Sequence, residues 1–460
     1  MRVGIDRPSQ THGGVGRAVA VVAAWAVLVT ASSMAWGQSQ ASPPAEPSEA
    51  PSEPAASVPE AGTAPKPEAP TEEPQAPGPR PGRYRIGPLY LTPTFKIGTI
   101  GLDTNTFYTP TGPRADMTAS GGPGLDLVLP LWRALTLRGS GALTYLFYLR
   151  TASERRLMGA ANGRAEWNGN RTSLALEAAT DRQRSRPSFE VDQRVPYNDT
   201  MQRASLRRTL VGRVRLLLSG QHDRREVDAG AEQYGVSLRN TMNHEDYKLG
   251  ADLDYGLTVK TSLAATYEHV LDRFPLLTSR TTNRDRLMGG LRTDATALIS
   301  GSALAGVQWV RPQGGPASRP HFVCDVDALL NVSVKTHLGA TYRRDYSYSM
   351  LVASPEAPTV LTETYGARLD KDLVGDLNFQ AFVRRTRLWD DGYLSLVLPN
   401  GQTYAGTRHD TADEVGGDLG YRFRGHLRLG VAASYTKRQS TISYFGIKGL
   451  LVGLSMRYNP

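Results

Sequence analysis

The sequence predicts an all-β fold: a transmembrane, antiparallel, up-and-down β-barrel of roughly eighteen strands, within a range of about 16–18. Three observations carry this. First, between Leu135 and Leu149 the residues Leu135, Leu137, Leu143, Tyr145, Phe147 and Leu149 share one parity, with Thr136, Arg138, Ser140 and Thr144 on the other. That period of two is a strand with one apolar face, longer than an ordinary globular strand. Second, similar segments recur to the end of the chain. Third, the chain opens with a segment that directs export.

In that opening segment Arg2, Arg7 and Arg17 precede an apolar run from Ala18 to Thr30, and Ala35-Trp36-Gly37 supplies small residues at a cleavage site. Residues 1–37 therefore read as a signal peptide. The run is short of the roughly twenty residues of a spanning helix, which argues against an anchor. No cysteine follows it, and the single Cys324 can form no internal disulfide. Residues 38–82 are rich in Pro, Ala, Ser and Glu, a composition that cannot bury enough surface to fold and predicts a disordered periplasmic linker. Residues 83–460 are assigned to the barrel, whose size exceeds the usual limit of one soluble core. Later in the chain no apolar run approaches a spanning helix, while modest hydropathy suits strands with one wet face.

The strands follow in order. Tyr247, Leu249, Ala251, Leu253 and Tyr255 alternate with Asp246, Lys248, Gly250, Asp252 and Asp254; Leu263, Ala265 and Tyr267 alternate with Ser262, Thr266 and Glu268. Leu377, Phe379, Ala381 and Val383 alternate with Asn378, Gln380, Arg384 and Thr386, and Leu427 to Tyr435 with Arg428, Ser434 and Thr436. In the last strand, Leu450 to Tyr458 alternate with Gly449, Gly453, Ser455 and Arg457. Short turns at Trp132-Arg133, Asn168-Gly169-Asn170, Gly256-Leu257 and Val374-Gly375-Asp376 are separated by longer polar loops near 103–120, 184–202, 274–284, 313–319 and 390–406. Short periplasmic turns and long outer loops are the outer-membrane pattern. Trp132, Trp167, Trp309, Trp389, Tyr421 and Tyr458, near strand ends, suit interfacial girdles.

Closure sends the apolar parity to lipid and the charged parity inward. The predicted pore lining comprises Arg138, Arg164, Glu166, Arg207, Arg215, Lys248, Asp252, Asp254, Glu268, Arg286, Arg292, Lys335, Arg343, Arg368, Arg384, Arg422 and Arg428. Further acids in the wall are Asp294, Asp325, Asp327, Asp370 and Asp418. Beyond residue 80 the chain holds 48 Lys and Arg against 36 Asp and Glu, and a cationic wall concentrates anions. In one reading these arginines line a wet path for an anionic or hydroxyl-rich solute; in the other they pair with carboxylates across neighbouring strands and fill the interior. A barrel of this size encloses water unless plugged, and the loop from Asp103 to Ser120 is a candidate constriction.

Chemistry other than transport finds little support. Asp252/Asp254 and Asp325/Asp327 resemble metal-binding pairs, yet i and i+2 share a strand face and read more simply as lumen charges. His409, Asp410, Asp413 and Glu414 form an acidic cluster suited to adventitious cations, and His222, His269, His321 and His337 lack a nucleophile partner at a recognisable spacing. No catalytic residue, metal site or cofactor is assigned, and export argues against nucleic acid as a partner.

The first barrel segment, Leu91-Thr92-Pro93-Thr94-Phe95-Lys96-Ile97-Gly98-Thr99-Ile100-Gly101-Leu102-Asp103-Thr104-Asn105-Thr106-Phe107-Tyr108, resembles the opening of outer-membrane β-barrel porins often associated with exopolysaccharide gene clusters. In that family a Pro-led strand runs into a Gly-x-Asp-x-Asn-aromatic stretch. The layout matches over about 81–460, although the chain ends in Tyr458-Asn459-Pro460 instead of a terminal aromatic. The resemblance implies a Gram-negative outer-membrane conduit for secreted polysaccharide, with the linker in the periplasm. Its implied partners are outer-membrane lipid, the polysaccharide or anionic solute, a periplasmic polysaccharide-export protein and the barrel-assembly machinery. A general or anion-selective diffusion porin is the alternative, and a barrel hydrolase a distant third.

Overall fold

The computed structural model describes residues 84–109, 112–186, 190–191, 194–233, 236–293, 298–313, 320–349, 359–390, 394–397, 403–423 and 427–458. The expected signal peptide and linker, and Asp294, lie outside these residues.

Eighteen strands close into one antiparallel barrel. They are β1 (Leu89–Asp103), β2 (Asp116–Trp132), β3 (Leu135–Tyr148), β4 (Arg156–Asn168), β5 (Thr172–Ser185), β6 (Val195–Thr209), β7 (Val214–Val227), β8 (His244–Gly256) and β9 (Thr261–Arg273). The second half comprises β10 (Thr282–Thr293), β11 (Ile299–Pro312), β12 (His321–Ser333), β13 (Thr336–Tyr348), β14 (Thr359–Asp372), β15 (Leu377–Asp390), β16 (His409–Phe423), β17 (Leu427–Ser440) and β18 (Ile447–Tyr458). Each pairs with its neighbours in the chain, and β18 closes on β1 through Phe95↔Tyr458 and Lys96↔Arg457. Closure leaves no open edge, which the hydrocarbon of a bilayer demands because no water is there to satisfy free backbone groups. A short strand, Tyr84–Ile86, folds back onto β1 through Gly87, whose φ of 59° favours glycine, and prolongs the sheet past the end of β18.

The alternation read from sequence sets the two faces. Leu143, Tyr145, Leu157, Leu249, Leu253, Leu263, Leu287, Val383, Val431 and Leu454 are exposed on the outer surface. On the outside of a closed barrel such an apolar band is a lipid-facing belt. Trp132, Trp167, Tyr421 and Tyr458 lie near the ends bearing short turns, whereas Trp309 and Trp389 lie near the opposite ends. Strands of 12 to 17 residues exceed the roughly 9–11 needed for a tilted crossing, and the excess extends beyond the membrane.

Connections at one end are short, such as Arg133-Ala134 and Val334-Lys335, and those at the other are long. The long ones are narrower than their sequence signals. β5 runs to Ser185 and β6 begins at Val195, so most of 184–202 is strand; β2 already begins at Asp116 and β10 at Thr282. Above the membrane both strand faces meet polar surroundings, so alternation no longer marks the strand. The buried core sits at this end too, where Val191, Val195, Tyr197, Val227, Leu238 and Met242 form one cluster.

Candidate functional site

The barrel register fixes which of the predicted wall residues meet. Arg292 binds Asp254 at 2.8 Å and Asp252 at 3.4 Å, with Arg215 at 3.9 Å from Asp254. The two aspartates of β8 thus hold an arginine, as lumen charges. Arg164 lies 3.6 Å from Glu166 and 3.9 Å from Glu177. Lys248 bonds Asp223 and lies 3.8 Å from Asp246; Arg286, opposite Glu268, bonds Asp345 and Gln308. Arg343 pairs with Asp325 at 3.2 Å, Arg368 with Asp370 at 3.6 Å and Arg384 with Glu414 at 3.5 Å. Arg428 bonds Asp418 and, at 3.1 Å, Asn378.

Much of the wall is therefore tied into cross-strand ion pairs. Arg138 is exposed opposite Arg164, and Arg207 sits opposite Ser173 and Leu217. Lys335 is a correction: it occupies the turn between β12 and β13, at the rim and outside the strand wall, because the chain reverses there within two residues. The acidic cluster of β16 is dispersed as well. Asp410 pairs with Arg408, Asp413 with Arg385 and Glu414 with Arg384. Alternation sends neighbours to opposite faces, so sequence proximity overstated the cluster.

At the long-loop mouth the connections reach one another across the barrel. Ser349, after β13, donates to Glu190 in the β5–β6 loop at 2.5 Å, and Arg408, before β16, donates to the Glu190 carbonyl at 3.3 Å. In a closed barrel of eighteen strands, the β5–β6 loop and these partners belong to nearly opposite walls. Arg280 donates to the carbonyls of Thr241, at 2.7 Å, and Ser349, linking two further loops. Arg408 stacks on Phe445 at 3.9 Å, and Arg438 donates to the Phe445 carbonyl at 2.7 Å. Arg280 and Arg408 are both 0% exposed.

The loop predicted as a constriction joins this cap. Tyr108 is buried with φ 52°, its ring lies 3.5 Å beneath the Arg186 guanidinium, and its hydroxyl bonds Thr436 of β17. Burial pushes the Tyr108 hydroxyl up to about 12. The amide of Asn105 fastens the loop to the Lys448 carbonyl at 2.9 Å.

The short-turn mouth differs. In register across four adjacent strands lie Lys96 of β1, Arg457 of β18, Arg428 of β17 and Arg422 of β16. Their parity is opposite to the lipid-facing Phe95, Tyr458 and Tyr421, so they face the interior. Lys96, Arg457 and Arg422 are exposed. Lys96 and Arg457 were absent from the wall predicted by sequence. Parity alone assigns Arg457 inward, but only the closing register sets it beside Lys96. Next to this row a cavity of about 430 Å³ is lined by small residues, among them Gly124, Ser140, Ala142, Ala160 and Ala179, with Lys96 and Arg457 at one edge and Asp126 and Asp181 also present.

A closed antiparallel barrel with an apolar outer belt, an ionic interior and two unlike mouths is a β-barrel of the bacterial outer-membrane class. No family model and no curated protein matches the chain. Among solved structures it is similar to the siderophore receptor PirA from Acinetobacter baumannii, with 8% identity, 80% of each chain covered and a TM-score of 0.44. PirA from Pseudomonas aeruginosa gives 11% identity, 83% and 81% coverage and 0.43. OccAB2 from Acinetobacter baumannii gives 14%, 80% and 97% coverage and 0.43. At such values none of them bears on cargo.

Proposed function

We propose that the protein is an outer-membrane conduit that passes an anionic, hydroxyl-rich solute, with secreted polysaccharide as the cargo and outward movement driven by synthesis upstream. The observation that carries the reading is the lumen: a closed barrel whose interior parity is charged on most strands and whose short-turn mouth bears exposed cations beside an open recess. Cationic walls raise the local concentration of anions, and exchangeable polar side chains offer transient sites along the way. Polysaccharide in particular rests on the family resemblance of Leu91 to Tyr108. The carboxylates a hydrolase would use, such as Asp252, Asp254 and Glu414, are engaged by arginines, which favours transport without covalent chemistry.

The loop cap makes this a gated conduit in the proposal, with the long-loop mouth opening as solute arrives. A periplasmic export protein would engage the short-turn rim, where Val211, Val259, Val334 and Val374 are exposed at turn tips. The test is polysaccharide secretion by a deletion strain complemented with the wild-type chain or with variants neutralised at Arg138, Arg292 and Arg384. Loss of secretion on deletion, restored by wild type and impaired by the variants, is the expected result. A deletion strain that secretes normally overturns the polysaccharide reading, and steady anion flux through liposomes would then favour a diffusion porin.

A further inference from the structure

The row Lys96, Arg457, Arg428 and Arg422 is costly, because like charges directly opposite one another on neighbouring strands repel, with Cβ atoms about 4.5–5.5 Å apart. Along much of the wall arginine is answered by a carboxylate, as at Arg343, Arg368 and Arg384, with Arg138, opposite Arg164, as an exception. Here, among the described residues, only Arg428 is answered, by Asp418 and Asn378, and its side chain lies along the wall over Gly420, where a Cβ would stand 2.3 Å from the guanidinium carbon. The other three cations reach into the mouth.

A second, independent feature adjoins them. The recess lined by Gly124, Ser140, Ala142, Ala160 and Ala179 is open because β2 to β5 carry almost no bulk there, and Thr94 and Asn162 bring hydrogen-bonding groups to it. Its volume of about 430 Å³ falls within the range of small-molecule sites, about 300–1,000 Å³. β1 also bulges just beyond Lys96, with register shifts against both neighbours between Ile97 and Gly101, and bulges re-aim adjacent side chains.

We propose that this recess is a binding station for an acidic sugar unit. Its carboxylate is held by Lys96 and Arg457, its ring rests on the small-residue floor, and its hydroxyls meet Thr94, Asn162 and the carboxylates of Asp126 and Asp181. Those two acids disfavour a second negative charge deep in the recess, so the anionic end points to the cation row. Arg422 and Arg428 extend the row for the next charged unit of a chain. The station deepens the conduit reading and rests on it for its role in transport.

The test is calorimetric titration of the full-length barrel in detergent with trigalacturonate, maltotriose and sulfate. Trigalacturonate is expected to bind at least tenfold tighter than maltotriose or sulfate. Lys96→Gln with Arg457→Gln weakens it at least tenfold, whereas Ala160→Leu, which fills the recess and keeps every charge, weakens trigalacturonate without changing sulfate. Lys335→Gln, on the same rim but several strands away from the recess, leaves all three unchanged, and heat-modifiable mobility on gels verifies that each variant is folded. Equal binding of trigalacturonate and maltotriose, or a charge-neutralised variant that binds as the wild type does, overturns the station, as does an Ala160→Leu protein that binds trigalacturonate normally. Binding without flux in liposomes removes the conduit and leaves the site; flux without binding removes the site alone.

Discussion

Arg408 and Asp410 are both buried, with the guanidinium Nε 2.9 Å from the carboxylate. Replacing Arg408 by alanine leaves that carboxylate in the cap without its partner, and breaking a buried pair from one side costs about 3–5 kcal/mol. The penalty falls on the loops, because the barrel below is held by its own ladder of backbone bonds. We expect Arg408→Ala to speed trypsin cleavage and amide exchange in the long loops, with heat-modifiable mobility retained. Arg385→Ala, which removes an exposed partner of Asp413, should change neither measurement. Unchanged exchange in the Arg408 variant would mean that the cap does not depend on this pair. None of this was legible in the sequence: Ser349 and Glu190 are 159 positions apart, Arg408 and Glu190 218 apart, and no periodicity marks either contact.

At the scale of the element, parity was legible because the bilayer enforces it. Leu249 is 63% exposed, while its neighbours Lys248 and Gly250 face inward. Leu249→Arg puts a charge on the lipid face, costing about 2–4 kcal/mol near the midplane. Folding yield into lipid vesicles should fall accordingly, whereas Thr266→Arg on the interior face of β9 should fold far better; equal yields would contradict the assigned faces. A different constraint acts at Gly290, where a Cβ would stand 1.9 Å from the Ala303 carbonyl oxygen. Gly290→Val should therefore break the β10–β11 ladder and block assembly, seen as loss of the compact form on gels. Strand ends were less legible. Val195-Pro196-Tyr197-Asn198-Asp199-Thr200 reads as loop because neither parity is apolar throughout and a proline interrupts it, yet Pro196 to Thr200 stand in register with Arg184 to Thr180. A sequence pattern set by lipid stops where lipid stops.

For the whole molecule the two mouths impose different tasks. Barrels of about eighteen strands are wide enough for water, so the ion-paired wall and the loop cap decide what moves. The cap is knit through Glu190, Arg280 and Arg408; the inner mouth is open and basic. The reconstituted protein should accordingly conduct weakly, and loosening the cap through Arg408→Ala should raise conductance severalfold in planar bilayers. Once the cap is loosened, the current should favour chloride over potassium, because Lys96, Arg422 and Arg457 stand exposed at the inner mouth that the solution must pass. That preference should be largest in dilute salt, where the Debye length is about 30 Å at 0.01 M, and should fade towards 1 M, where it is about 3 Å. Lys96→Gln, Arg457→Gln and Arg422→Gln together should move the reversal potential towards zero even in dilute salt, since many of the other wall cations are already answered by carboxylates. If the triple variant kept its full anion preference, the selectivity would belong to the wall as a whole, and the row at the inner mouth would have no special part in it.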